Sequence, residues 1–476
     1  MNNLSRRKFL KLGGMAAAAM NVGGKTKKVF AAINEPFDLV IKNGRSFING
    51  SWDNYYIGVT PDGKLAVSKT PLAAARVIDA DGDVVAPGFI DILADNSSNP
   101  QFTYRVFEKY KLGDGVTTAL QMHGGAIHAG EFYARFDKLP HYVNYGVSTK
   151  VMLVRIAYKQ PSDRIKAIER SLDEGALGVS HSPEYQSATT WAELLDYAKI
   201  AAKYDRPLFL HTRYSSKEKE LLGVDEAINL ARETGCRVHI NHLNSTGGTF
   251  NMPEALNRIR AAREKGLSIT TCVYPYSYWA TYISSERFNP GWQQRYGMTY
   301  SDLEVVGTGE RLTEKSFAGY RKKSGILVAA KPGVQPLDKT VKPALMEDFC
   351  MIGSDGGIET EPRANNHPRG AACFSTAIRY ALSEKIPLEK ILEKMTALPA
   401  ALIGKPMNGR GALKDGYAAD ITVFNPDTVN GAATNANPNL FSIGIKLVVV
   451  NGKIAFENEK PTGINAGTPV KNLIGA

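Results

Sequence analysis

Between residues 87 and 407 short apolar runs alternate with amphipathic stretches, and that rhythm constrains the fold more than any other feature. Runs of strand length end near Asp95, His123, Ile156, His181, His211, His242, Tyr274 and Asp355. Helix-like stretches separate several of them, at 162–172, 191–203, 224–234 and 253–265. Strands alternating with helices predict βα units and a parallel sheet. Eight strand ends fit an α/β fold of the (β/α)8 TIM-barrel type, in which catalytic groups gather at the C-terminal ends of the strands. A doubly wound open sheet is the alternative, but no Gly-x-Gly-x-x-Gly turn follows an early strand. Residues 277–345 break the rhythm with aromatics, prolines and charges, as expected of an insertion forming a lid over the barrel mouth.

The two ends have a different texture. From Phe37-Asp38-Leu39-Val40-Ile41 onward, short strand-like runs are punctuated by Asn43-Gly44, Asn49-Gly50 and Pro61-Asp62-Gly63. The same pattern returns beyond residue 408 in Ala419-Asp420-Ile421-Thr422-Val423-Phe424, Lys446-Leu447-Val448-Val449-Val450 and Asn451-Gly452. Residues 36–86 and 408–476 are therefore expected to build one small β-sandwich from both termini, flanking a barrel over 87–407.

The formal charge of +11 invites a nucleic-acid reading, but its location opposes one. Residues 1–31 hold Arg6, Arg7, Lys8, Lys11, Lys25, Lys27 and Lys28 and no acid; without these seven, 51 basic residues face 47 acidic ones. Ser5-Arg6-Arg7-Lys8-Phe9-Leu10-Lys11, the mild apolar run from Met15 to Met20 and the small residues Ala31-Ala32 resemble a twin-arginine signal peptide. The run is too short for a permanent membrane anchor, which needs about 20 apolar residues. Recognition by the twin-arginine export machinery and a periplasmic or secreted destination are the expectation. The four cysteines, Cys236, Cys272, Cys350 and Cys373, show no Cys-x-x-Cys spacing and read as buried free thiols.

A residue at a strand end can face the barrel axis, so His211, His242, Asp355 and also His123 are candidates to converge there. Imidazoles and a carboxylate suit one zinc-type divalent metal with room left for water. In His239-Ile240-Asn241-His242 alternation cannot aim both histidines inward; His242 ends the run, so His239 is expected to face the helical layer. Each histidine also has a plainer reading as a hydrogen-bonded structural residue, and Ser354-Asp355-Gly356 alone would be a turn. Their joint order is what favours a site.

That order, with Ala86-Pro87-Gly88-Phe89-Ile90-Asp91, Gly115-Val116-Thr117-Thr118, Gly175-Ala176-Leu177-Gly178-Val179-Ser180, His211-Thr212-Arg213, His242-Leu243, Tyr274-Pro275-Tyr276, Ser354-Asp355-Gly356 and His367-Pro368-Arg369, resembles the D-aminoacylase (N-acyl-D-amino-acid deacylase) group of the amidohydrolase superfamily. The resemblance implies that His211 and His242 bind a metal, that Asp355 is the catalytic acid–base, and that Arg369 and Tyr274 meet a substrate carboxylate, with Arg213 close by. It also exposes departures. The usual His-x-His pair is Leu93 and Asp95, leaving Asp95 as a weak ligand or as a hydrogen-bonding support for one, and favouring a single metal over two. The usual cysteine ligand falls on Gly124, so His123 either replaces it after a one-residue adjustment or is structural; a usual lysine is Asn244. Trp279, Tyr282, Phe288, Trp292 and Tyr296 in the insertion read equally as an acyl-group pocket or as packing.

The resemblance thus implies an exported hydrolase of an N-acyl amide bond, acting on a small N-acylated amino acid or related amide through one divalent metal, zinc being the first choice. The rival readings are a cyclic-amide hydrolase of the same superfamily and a catalytically silent binding protein. A nucleic-acid partner is not expected.

Overall fold

The computed structural model describes residues 37–94, 100–358 and 366–473. The leader 1–31 and Asp95 lie outside the described residues. Eight parallel strands form the central sheet: β1 (Phe89–Asp91), β2 (Val116–Ala126), β3 (Asn144–Lys150), β4 (Val179–His181), β5 (Leu208–Leu210), β6 (Val238–Ile240), β7 (Ile269–Val273) and β8 (Cys350–Ile352), neighbouring one another in chain order. A parallel bridge between Ala94 and Gly356 links the two ends of the sheet into a barrel. Helices such as Pro161–Asp173, Trp191–Lys203, Glu220–Thr234 and Met252–Glu264 follow the strands. Their boundaries have local causes. Thr190 and Glu193 form a reciprocal capping box at the start of 191–203, and left-handed Gly235 ends 220–234.

Strand alternation divides the core into two apolar layers. Leu208, Leu210, Val238 and Ile240 pack outward with helix residues such as Val224, Ala227 and Leu230. Leu120, Met122, Leu177, Phe209, Cys272 and Met351 fill the barrel with Ile90, Ile92 and Leu93. All four cysteines are buried and free.

One strand end is corrected. The run through Ile156 is not a strand: β3 stops at Lys150, and Val151–Ala157 is a helix that buries Val151 and Val154. A short apolar run does not distinguish the two by periodicity alone.

Both ends of the chain contribute to one nine-stranded sheet. Its first half includes Phe37–Ile48 and Ser51–Val59, and its second Ile421–Phe424 and Ile445–Val450; Val84–Pro87 pairs with Ile421–Phe424 where they meet. Alternate residues of both halves, including Leu39, Ile41, Ile57, Val59, Val423 and Val449, share one core. Within 277–345 a separate antiparallel sheet, ordered Ala280–Tyr282, Leu327–Ala330, Leu303–Val305 and Glu310–Arg311, carries its own core. Trp279, Phe288 and Trp292 are buried in that core, so these three aromatics are packing. No helix among the described residues is long and apolar enough to cross a membrane.

Candidate metal centre and active site

Three strand ends bring His123, His211 and His242 together, with one nitrogen of each ring within 4.8 Å of the others. His211 follows the inward parity of Phe209 on β5. His242 does not inherit its direction from β6. Its backbone is left-handed, at φ 29°, and this turns the ring toward His211, with His211 Nδ1 and His242 Nε2 3.1 Å apart. His239 corrects the alternation argument: it sits on the interior face, against Phe209 and bonded to Thr270 Oγ1 at 2.8 Å. The expectation failed because alternation was extended past the last residue that obeys it.

His123 is re-aimed by a different device. Met122 faces the barrel interior, so strict alternation would send His123 outward. The β2–β3 register slips between Gln121 and Ala126, Gly125 takes φ 118°, and the Gly124 carbonyl accepts from Ser148 and Ser180. A bulge of this kind turns the side chain to the other face. The His123 ring stacks on His211 at 5.5 Å and meets His242 edge-on at 5.2 Å.

Asp355 joins the cluster from the end of β8, also in a left-handed conformation at φ 49°. Its Oδ1 is 2.9 Å from His123 Nδ1 and 3.9 Å from His242 Nε2, while Arg369 Nη2 meets Oδ2 at 2.9 Å. Burial alone would raise this carboxyl, but the Arg369 guanidinium, with the hydrogen bond to His123, outweighs it and holds Asp355 far below the usual range. Its turn is anchored from beneath. Asp91 accepts from the Ser354 backbone at 3.0 Å and from Lys111 Nζ at 2.7 Å, both in fully buried surroundings. Such left-handed residues cost on the order of 1–3 kcal/mol each and persist only where surrounding contacts hold them.

The outer ring nitrogens have partners that sequence reasoning missed. Glu184 Oε2 lies 2.7 Å from His211 Nε2. Burial would raise the Glu184 carboxyl, yet Arg287, His211 and Ser215 lower it below its ordinary value, so it is a carboxylate. Burial lowers His211 and lowers His242 further, so both rings are neutral. His211 then donates from Nε2 to Glu184, leaving Nδ1 bare. Ser245 Oγ lies 2.9 Å from His242 Nδ1 and 3.2 Å from the His242 carbonyl; with the hydroxyl proton on the carbonyl, Nδ1 donates to Ser245 and Nε2 is bare. In that tautomer two lone pairs face at 3.1 Å, an arrangement that a cation between them would stabilise. Two nitrogens on one tetrahedral zinc stand roughly 3.4 Å apart, given bonds of about 2.0–2.1 Å. The donor set fits a zinc-type ion, which His123, His211 and His242 would hold.

The remaining sequence candidates separate. Arg369 lies over the Tyr274 ring at 4.7 Å and donates from Nε to the Asp355 carbonyl at 2.5 Å, so both adjoin the cluster. Arg213 is not brought in; it pairs with Glu226 at 3.1 Å and donates to the Ser187 carbonyl. Asn244, in the lysine position, donates to the Tyr274 carbonyl at 3.0 Å and ties two strand ends together. Leu93 is fully buried in the barrel core, with its N–H on Asp91. Glu184 had one legible signal, a carboxylate just past the end of β4, where barrel enzymes keep functional groups.

The model of the amidohydrolase family matches residues 84–455. An N-acyl-D-glutamate deacylase of Alcaligenes xylosoxydans xylosoxydans is 27% identical, the match covering 90% of this chain and 96% of that protein. A D-aminoacylase of the same organism is 28% identical, over 91% and 97%. The crystal structure of N-acyl-D-glutamate deacylase from Bordetella bronchiseptica, complexed with zinc and a phosphonate inhibitor, superposes with a TM-score of 0.77 at 25% identity, over 92% of this chain and all of that one. The chain belongs to the amidohydrolase family, in the D-aminoacylase group of hydrolases acting on carbon–nitrogen bonds other than peptide bonds.

Proposed function

We propose that this protein is an exported amidohydrolase that cleaves the N-acyl bond of an N-acylated amino acid, with one divalent metal, zinc, at the centre formed by His123, His211 and His242. The observation that carries the reading is the convergence of these three rings on one another beside Asp355. When bound, such a cation makes water more acidic and a scissile carbonyl more electrophilic. Asp355 Oδ1 takes the proton from the attacking water and delivers it to the departing amide nitrogen. Arg369, held against Asp355 and over the Tyr274 ring, places positive charge where it would attract the substrate's carboxylate and so orient the N-acyl bond over Asp355. The relatives named above, an N-acyl-D-glutamate deacylase and a D-aminoacylase, support D-amino acids as the first substrates to try. Leu93, packed as core where a metal-binding histidine would stand, supports one metal rather than two.

Metal content of the purified protein and turnover of paired N-acetyl-D- and N-acetyl-L-amino acids test this. About one zinc per chain and hydrolysis of one enantiomeric series are expected. A protein that takes up no zinc and hydrolyses nothing after zinc addition would overturn the reading in favour of a binding protein. Export rests on Arg6-Arg7. Arg6→Lys with Arg7→Lys should leave the protein in the cytoplasm on fractionation, and unchanged export would refute the twin-arginine route.

A further inference from the structure

Each neutral ligand histidine has its outer nitrogen held, and both holders lead to the insertion. His211 Nε2 meets Glu184 Oε2 at 2.7 Å, and the other Glu184 oxygen accepts from Ser215 Oγ, which lies 3.0 Å from the Tyr296 hydroxyl. His242 Nδ1 meets Ser245 Oγ at 2.9 Å, and the Ser245 carbonyl accepts from Arg287 Nη2 at 3.1 Å. Tyr296 and Arg287 both belong to the 277–345 stretch, and Arg287 is 3% exposed, stacked over Trp279 at 4.2 Å and Tyr296 at 5.1 Å.

We propose that Glu184 is a positioning residue for the metal ligand His211, and that the insertion completes the metal centre by holding the outer partners of both His211 and His242 through Tyr296 and Arg287. This rests on the reading of the three histidines as a metal site. Glu184 is not itself a ligand: its carboxylate addresses Nε2, across the ring from the Nδ1 that faces His242. A carboxylate on the outer nitrogen of a ligand imidazole fixes its tautomer, sets the ring's orientation and makes the inner nitrogen a better donor. Removing such a partner typically weakens metal binding by about 10–100-fold. The insertion then has a task in the metal centre beside packing its own core. Without it the Ser215 hydroxyl that donates to Glu184 would lose Tyr296, and the Ser245 carbonyl would lose Arg287.

The test is zinc affinity by chelator competition on the full-length mature protein, with the visible spectrum of the cobalt(II)-substituted form as a second readout. Glu184→Gln keeps size and a hydrogen-bond acceptor but removes the charge. It should weaken zinc binding about tenfold or more and shift the cobalt bands, with the melting temperature of the metal-free protein retained. Tyr296→Phe, which removes one hydroxyl from the insertion, should weaken binding less but in the same direction. Glu184→Gln with zinc affinity within about twofold of the parent and an unchanged cobalt spectrum would overturn the proposal. If Glu184→Gln does not fold, Tyr296→Phe decides by the same criterion. A parent protein that binds no zinc would instead overturn the metal reading itself.

Discussion

At the scale of single residues, the site depends on where a few polar atoms find partners. Asp355 is the clearest case, because it shares its two oxygens between His123 and Arg369 and can still be replaced isosterically. Asp355→Asn should lower kcat by about 10²–10⁴-fold while zinc content stays near that of the parent, checked by steady-state kinetics beside metal analysis. Activity surviving at the parental level would remove Asp355 from its acid–base role. Leu93 argues from the opposite direction. Its side chain lies against Gly353 within the barrel core, so this position is packed hydrocarbon and offers no donor to a metal.

At the scale of elements, the ends of β2, β6 and β8 are irregular, and those irregularities aim the side chains. The bulge after Gln121 is the most exacting. Gly125 sits at φ +118°, and a Cβ there would come within 2.3 Å of the Ser148 carbonyl oxygen. Gly125→Ala should destabilise the protein by more than about 1 kcal/mol and weaken zinc binding, because the bulge that turns His123 inward cannot keep its shape. Urea unfolding together with chelator competition checks both effects. If affinity holds while stability falls, His123 is not aimed by this bulge. The insertion is an element of the same kind. Trp279, Phe288 and Trp292, read from sequence as either pocket or packing, make its own core, and Arg287 and Tyr296 extend from it toward the site.

At the scale of the whole molecule, the barrel buries several histidines in neutral form. Burial holds His181 and His239 at about 3 each, against 6.5 for the free side chain. Between those values the unfolded chain takes up protons that the folded chain refuses, so stability falls as pH drops below 6.5. Between pH 7 and pH 5 each such histidine removes about 2 kcal/mol. Metal-free His239→Gln should therefore lose less stability over that interval than the parent, by about that amount, in paired urea titrations. Equal losses would show that His239 takes up a proton in the folded state. A metal held across three strand ends would stabilise the fold in the same global way. Zinc at about 1,000 times its dissociation constant should stabilise the fold by about 4 kcal/mol, and a chelator should reverse the gain in melting temperature.

Much of this architecture was legible in the chain because strand and helix periods differ, and their alternation over 87–407 leaves few folds that bury both. The strand-end positions of His123, His211, His242 and Asp355 were legible for the same reason. What alternation could not supply is direction past the last regular residue. His242 reaches the site as expected while His239 lies on the interior face as well, because a left-handed turn at His242 reverses its face, and a backbone dihedral leaves no mark in periodicity. The helix at Val151–Ala157 was hidden in a run of apolar residues too short to carry a period. Glu184, Ser245 and Arg287 come from loops and an insertion far apart in sequence, and only tertiary packing brings them to the outer nitrogens of the ligands. Sequence by itself determined the barrel and the residues at its mouth, since both follow from local pattern and residue chemistry. Only the tertiary structure decided which ring nitrogens face one another and what holds the outer ones, since that depends on partners that local pattern does not encode.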